Sequence, residues 1–401
     1  MVSSSAPRAT TPTVRVPKRC PSGTRKPLDK CARSAMRIEV SNNRGEGTAR
    51  VVLGVVLAGV VLLASGSVLG HVGSPQLTDD CGSCHVGHGK PGEPMLGKSE
   101  EDFCYQCHGS DQERSRMVAE GRLLPSARLM DMRQEFDKQY THPVERQGMH
   151  SPTEVLPTFG GAEVSHAECV DCHNPHQRLE AGKRMDFAVS GYSINGQHME
   201  RSLHQYEICL KCHTDKMGAK SSEMSLDRVF AVNVRSQHPV TVPLSGRLLP
   251  SMVDKAMTGQ RMKCSDCHRS SDRDGPRGPH GSDYEFMLSG NYNRDVYVRE
   301  SAFAFEFCYS CHDRFSILGN ESFPFHREHI EGDPVSGRKG TSCYTCHASH
   351  GSPENPNLIK FNLQAVTGEK SGRRVEYLET SQGSGTCVLE CHGHNHAPGG
   401  Y

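Results

Sequence analysis

Cysteine and histidine recur in this sequence at a spacing that suits covalent attachment of haem. Seven segments read Cys-x-x-Cys-His, and an eighth has three residues between its cysteines. Two thiols at this spacing can add to the two vinyl groups of one porphyrin, and the next His can then bind the iron. The eight motifs use 16 of the 18 cysteines. They are Cys81/Cys84/His85, Cys104/Cys107/His108, Cys169/Cys172/His173, Cys209/Cys212/His213, Cys264/Cys267/His268, Cys308/Cys311/His312, Cys343/Cys346/His347 and Cys387/Cys391/His392.

Two other chemistries use paired cysteines. A zinc site can be built from Cys-x-x-Cys pairs, but it does not require a His directly after every second Cys. A dithiol redox enzyme needs one such motif rather than eight. We therefore expect eight covalently attached haem c groups, with the His of each motif as the proximal iron ligand.

The composition also indicates that something other than the polypeptide supplies the core. Only 35% of the residues are hydrophobic, Trp is absent, and Gly and Pro number 40 and 23. A chain this polar buries too little apolar surface to offset the entropy of folding. We predict a mainly coil structure with short α-helices and few or no strands, arranged around haem, with the motifs on short helical turns.

The motifs fall into four pairs, which predicts four repeated two-haem units. First-cysteine spacings within the pairs are 23, 40, 44 and 44 residues. Repetition of this kind is typical of arrays in which each unit is stabilised by its neighbours. The predicted units are residues 71–135, 136–225, 226–318 and 319–401.

Each predicted unit has two further His residues that could be distal ligands. One follows the first motif of the pair, and in the third unit an insert moves it further along the chain. The other precedes the pair, twice within a His-Pro-Val triplet. The candidate distal ligands are His71, His88, His142, His176, His238, His280, His329 and His350, with His326 as the rival of His329.

The remaining candidates recur less regularly. Met, the other common axial ligand, has no fixed place in the repeats, so we expect His at both axial positions of each iron. The His residues left over are His150, His166, His198, His204, His326, His394 and His396.

The first 70 residues predict an export signal. Basic residues precede an uncharged apolar run from Val51 to Ala64, and small residues follow it, which is the order of a secretory signal. We expect a signal peptide over residues 36–70, with an uncleaved membrane anchor as the alternative. Residues 1–35 are interpreted as a basic leader or a mis-assigned start, and Cys20 and Cys31 are given no function.

Removal of residues 1–70 leaves an acidic chain, with 35 Lys/Arg against 43 Asp/Glu and a formal charge of −8. An acidic surface disfavours nucleic acid and favours basic partners or metal ions. Export agrees with the motifs, because haem attachment of this kind takes place on the outer side of an energy-transducing membrane.

Residues 71–396 strongly resemble the doubled-CxxCH multihaem c-type cytochromes that metal-respiring and other anaerobic bacteria export. The resemblance rests on the paired motifs, the His after the first motif of each pair and the His-Pro-Val segments. It implies an octahaem electron carrier that passes electrons from a periplasmic or membrane donor to an acceptor outside. That acceptor could be a redox protein or an extracellular metal.

The alternatives that remain open are an octahaem oxidoreductase of a nitrogen or sulfur oxyanion and a subunit of a haem-lined extracellular filament. The expected location is periplasmic, outer-surface or extracellular, with homo-oligomerisation possible.

Overall fold

The structure is a computed structural model whose described residues all lie within one unit, Ser65–Tyr401. The predicted leader and signal peptide lie outside the described residues. The described ranges are 71–72, 74–79, 81–85, 96, 99–144, 167–177, 189–214, 225–244, 251–253, 259–333, 335–368, 374–381, 384–391 and 394–396.

The helices are short, and several of them begin at a polar cap. In the first helix, the Ser99 hydroxyl accepts a hydrogen bond from the Asp102 backbone N–H, and in the second, Ser110 and Glu113 form a capping box. The described helices are α1 (Glu100–His108), α2 (Asp111–Ala119), α3 (Met132–Phe136), α4 (Cys169–Cys172), α5 (Gln205–Cys209), α6 (Leu226–Val229), α7 (Cys264–Cys267), α8 (Glu306–Tyr309), α9 (Arg314–Leu318) and α10 (His326–Glu331).

Most strands are two-residue ladders, and all of the pairings are antiparallel. The pairs are β1 (Tyr140–Thr141) with β5 (Gly281–Ser282), β2 (Gly191–Tyr192) with β3 (His198–Met199), β4 (Ser236–Gln237) with β8 (Gly351–Ser352), and β6 (Gly332–Asp333) with β7 (Arg338–Lys339). A three-stranded sheet near the C-terminus has the order β11 (His394–His396), β10 (Ser384–Cys391), β9 (Glu376–Ser381).

Two of these ladders join parts of the chain that are far apart in sequence. Beta-strand β1 pairs with β5, and β4 pairs with β8. Both ladders need glycine: a Cβ on Gly281 would lie 1.7 Å from the Glu135 carbonyl oxygen, and one on Gly351 would lie 2.1 Å from that of Val229. Only a residue without a side chain permits so close an approach of two backbones.

The apolar core of the described chain is small and divided. One cluster joins Val298, Ala304, Phe305 and Ile330, and a second joins residues 229, 230 and 240. Many other buried positions are Ser or Thr. The predicted class, mainly coil with short α-helices, is confirmed, and the C-terminal sheet is its main departure. Among the described residues, no helix is long and apolar enough to cross a membrane.

A buried ion network ties α3 to the loop before β5. The Lys138 ammonium donates to both carboxylate oxygens of Glu135, at 2.9 and 3.0 Å, to Ser270 Oγ at 2.7 Å and to Asp272 Oδ2 at 2.8 Å. Glu135 is only 5% exposed, so its charge depends on this partner.

We predict that Lys138→Met lowers the free energy of unfolding by about 3 kcal/mol, because it leaves the buried Glu135 carboxylate without its cation. Guanidinium unfolding of the haem-loaded protein measures this loss. The control is Arg327→Met, which breaks an exposed i,i+4 pair with Glu331 and should cost at most about 0.5 kcal/mol. Equal losses in the two variants would contradict the prediction.

Candidate haem-attachment sites

The first seven motifs share one backbone turn. In six of them the backbone N–H of the motif His donates to the carbonyl oxygen of the first cysteine, over 2.8 to 3.0 Å. In the second motif the same residues lie at the end of α1. A helical turn brings residues three and four apart to one side, so two thiols and an imidazole project together. The predicted helical turns are present at all seven.

The imidazole rings of the chain form pairs. Among the described residues, eight His–His pairs have ring centres between 5.8 and 6.4 Å apart. Seven of them join a motif His to another His, and the eighth joins two His residues outside the motifs. The pairs are His85–His176, His108–His71, His173–His280, His213–His142, His268–His350, His312–His238, His347–His326 and His329–His396.

This separation fits two imidazoles on opposite sides of one metal ion. A ring nitrogen binds a metal at about 2.0–2.1 Å, and adding the distance from each nitrogen to its own ring centre puts the two centres roughly 6 Å apart. The seven pairs that include a motif His therefore fit haem iron with His at both axial positions. In each, the thiols that would hold the porphyrin belong to the same helical turn as one imidazole.

Backbone carbonyls orient several of these rings. Nδ1 of His238, His268 and His347 lies 2.7, 2.8 and 3.0 Å from the carbonyl oxygens of Ser349, Phe286 and Asn357, respectively. A carbonyl oxygen can only accept, so Nδ1 carries the proton and Nε2 keeps its lone pair for a metal.

Burial keeps these imidazoles neutral, which metal ligation requires. Burial, with a smaller contribution from neighbouring His residues, lowers the pKa of His108, His213 and His312 to about 4 and that of His280 to about 3. All four rings are consequently uncharged at neutral pH before any metal binds.

In units 1, 2 and 3, the His residue that faces the first motif His comes from the next unit along the chain. The first motif His of units 1, 2 and 3 is paired with the His that follows the first motif of the next unit: His85 with His176, His173 with His280, and His268 with His350. The second motif His is paired with the His that precedes its own pair, as His213 is with His142.

Backbone hydrogen bonds hold together the two His residues that we expect to be the distal ligands of a unit. The N–H of His142 donates to the carbonyl oxygen of His280, and the N–H of His238 to that of His350, next to the ladders β1–β5 and β4–β8. In unit 1, His71 donates to the carbonyl oxygen of Pro175, the residue before His176. The insert before His280 therefore loops out, and the ladder restores the position of the ring.

The cysteine thiols of consecutive motifs are neighbours, in the order of the sequence. Between pairs, the Cys104 and Cys169 sulfurs lie within 4.8 Å of each other, and the nearby thiols of Cys264 and Cys343 raise the pKa of Cys209 and Cys308. Within each pair of motifs, burial raises the pKa of one cysteine, and a thiol of the other motif also raises it. The cysteine with the raised pKa is Cys107 beside Cys84, Cys212 beside Cys172, Cys267 beside Cys311, and Cys346 beside Cys387 and Cys391.

Comparison with protein families agrees with this arrangement. Residues 162–358 match the family of outer membrane cytochromes described as MtrC/MtrF-like, domains II/IV, and residues 74–113 match the doubled CXXCH motif. The chain is a multihaem c-type cytochrome. No curated protein and no solved structure gives a significant match to it.

The eighth motif of this cytochrome lies outside both matched ranges and has a different backbone. Cys387 and Cys391 belong to the eight-residue strand β10. Four residues of strand span about 13 Å, whereas three residues of helix rise about 4.5 Å. The strand therefore does not present its two thiols at the spacing that the other seven motifs share. His392 lies outside the described residues.

Some ligand predictions for the cytochrome lie outside the described residues, and others gain unexpected partners. His88, His150 and His166 lie outside the described residues. Sequence reasoning left His326 and His329 as alternative ligands, but both rings have a His partner. His326 faces His347, and His329 faces His396. Both belong to α10, three residues apart, and so share one face. That spacing was the signal available in the sequence.

We predict that His326→Ala converts one haem of the cytochrome from low spin to high spin, because the iron bound by His347 loses its second imidazole. His238→Ala should have an effect of the same size on another haem. His204→Ala is the control, since that ring contacts Arg261 and Tyr206 and belongs to none of the eight pairs. Electron paramagnetic resonance of the oxidised protein measures the spin states, and a change in the control alone would refute the pairing.

A partly buried carboxyl lies where the second and third motifs meet. Glu100, Cys104 and Cys169 place ligand atoms within 4.8 Å of one another. Burial raises the pKa of Glu100 to about 7, although the Val170 N–H, which donates to its Oε1 over 2.8 Å, opposes this shift. The folded protein therefore holds a proton on Glu100 at pH values where the unfolded chain has lost it.

We predict that Glu100→Gln stabilises the cytochrome at pH 8 and that the gain shrinks as the pH falls towards 4.5. The folded pKa is above the unfolded one, so the wild type loses stability as pH rises between the two values, and Gln cannot titrate. Melting temperatures at several pH values measure this. Asp102→Asn, an exposed position on the same helix, is the control, and a gain independent of pH would contradict the prediction.

Proposed function

We propose that the protein is an electron-transfer octahaem cytochrome whose haems form one row in sequence order. The observation that carries this proposal is the proximity of the thiols of consecutive motifs, from the first motif to the eighth. Haem attached at these cysteines supplies a one-electron couple at each step. Because neighbouring sulfurs are close, the attachment edges of successive groups would lie side by side.

The paired imidazoles support conduction rather than catalysis. An enzyme that reduces a small oxyanion at haem needs an iron with an open or weakly held position. Seven motif His residues already face a second His at 5.8 to 6.4 Å. His280, which the insert could have displaced, faces His173 of unit 2 at 5.9 Å, and the motif His residues of unit 3, His268 and His312, face His350 and His238. The rival function is an oxidoreductase of a nitrogen or sulfur oxyanion.

We further propose that the protein works outside the cytoplasm, on the outer surface or in the extracellular space. The expected signal over residues 36–70 and the likeness to outer membrane cytochromes support this location. A formal charge of −8 for residues 71–401 suits basic redox proteins or metal-ion acceptors. His326 faces His347 of the same chain, which supports a set of iron ligands that is complete within one chain rather than shared between the subunits of a filament.

We predict that the purified exported protein carries eight haems, is wholly low spin, and binds almost no carbon monoxide when reduced. Intact mass and the pyridine haemochrome assay give the count, and Cys387→Ala/Cys391→Ala should lower it to seven. Nitrite, hydroxylamine and tetrathionate should not be turned over. One high-spin haem in eight together with turnover of any of these would favour the oxidoreductase, and a wild-type count of seven would refute the octahaem assignment.

A further inference from the structure

Two loops of the chain share an uncommon backbone conformation. In the part of the chain that the structure describes, five residues other than glycine have a positive φ, and four of these form two consecutive pairs. The pairs are Phe286–Met287, with φ of 62° and 55°, and Asn357–Leu358, with φ of 54° and 58°. The left-handed region is costly for a residue that carries a Cβ, and most of all for a bulky one. Such a conformation persists only where the surrounding contacts enforce it.

Each pair directs a carbonyl group to the imidazole of a haem motif. Nδ1 of His268 lies 2.8 Å from the carbonyl oxygen of Phe286. In the same way, Nδ1 of His347 lies 3.0 Å from the carbonyl oxygen of Asn357. The second carbonyl of each pair accepts a hydrogen bond from the backbone N–H that follows the motif His, over 2.9 and 2.8 Å. The two loops therefore contact the first motifs of predicted units 3 and 4 in the same geometry.

A buried serine closes each loop. The Ser282 hydroxyl donates to the Leu288 carbonyl oxygen over 2.6 Å, and the Ser352 hydroxyl donates to that of Ile359 over 2.7 Å. Each hydroxyl also accepts from a backbone N–H of its own loop, over 3.0 and 3.2 Å. The two serines are 0% and 2% exposed. Because the carbonyl that each serine binds belongs to the residue directly after a left-handed pair, the serine stabilises that conformation.

Each loop also begins at a candidate distal ligand. Both serines are the third residue of a His-Gly-Ser segment. His280, which begins the first segment, faces His173, and His350, which begins the second, faces His268. The first loop thus runs from a ring expected on the third haem to the carbonyl that binds the proximal His of the fifth. The second loop makes the same connection from the fifth haem to the seventh.

We propose that Ser282 and Ser352 are positioning residues that set the reduction potentials of the fifth and seventh haems. Each would act by holding a loop carbonyl on Nδ1 of a proximal imidazole. This assignment rests on the proposed electron-transfer function and specifies where two of its potentials are fixed. A carbonyl that accepts from Nδ1 makes Nε2 a more basic ligand. A more basic ligand favours ferric over ferrous iron, so the potential of that haem is lower.

The serine acts through the direction of the carbonyl group. Rotation of either left-handed pair towards the ordinary region turns its carbonyl away from the imidazole, because the peptide plane rotates with the backbone dihedrals. A variant without the hydroxyl lacks the hydrogen bond that opposes this rotation. The loss should therefore weaken the bond at Nδ1 while both axial His residues stay in place.

The test is a reductive titration of the exported haem-loaded protein, followed by electron paramagnetic resonance. Ser282→Ala and Ser352→Ala should each keep the wild-type haem count by intact mass, stay low spin and move one haem to a higher potential. The double variant should move two haems, because the two loops serve different irons. Ser282→Thr and Ser352→Thr keep the hydroxyl and should leave all potentials close to those of the wild type.

Ser271→Ala is the control, because its hydroxyl donates to the exposed Asp283 carboxylate beside the first loop rather than to a loop carbonyl. The assignment is overturned if both Ala variants leave every potential unchanged, even when they lower the melting temperature. It is also overturned if Ser271→Ala shifts a potential by as much. Either outcome leaves the electron-transfer function intact. Failure of that function would appear in the wild type instead, as a high-spin haem with turnover of a nitrogen or sulfur oxyanion.

Discussion

Pairing of imidazole rings at a separation that suits one metal ion is the feature on which the arrangement of this chain depends. The described polypeptide has only small apolar clusters, and many of its buried side chains are Ser or Thr. Each His pair joins segments that are otherwise held by a few backbone hydrogen bonds, as His85 and His176 do across 91 residues of sequence. A metal that binds two distant ligands contributes its binding energy directly to folding, and haem iron held by these pairs would replace the continuous core that the composition cannot provide.

The local parts of this arrangement could be predicted from the sequence. A Cys-x-x-Cys-His motif is a single helical turn, so its geometry follows from neighbouring residues, and seven of the motifs adopt it. The distal partners depend on contacts between units. His142 and His280 were identified as candidates because similar residues surround them in each repeat. The β1–β5 ladder that brings them together joins distant parts of the chain, so it could not be predicted from the residues around either one.

Two parts of the site were missed for different physical reasons. His326 and His329 were treated as alternatives because each unit was expected to use one preceding His, whereas α10 presents both. At the C-terminus, two cysteines four positions apart are compatible with a helix or a strand, because both bring residues at this spacing to one side. Strand pairing with β9 and β11 decides between them, and that pairing involves residues beyond the motif.

The one-unit offset of the paired His residues makes three of the four predicted units depend on the unit that follows. His173 faces His280, which belongs to the next unit, so a chain without that unit would also lack the second imidazole of this pair. Alpha-helix α10 ends this dependence by supplying His326 from within the last unit. Of the four first-motif His residues, His347 alone faces a ring of its own unit, so the array has a direction along the chain.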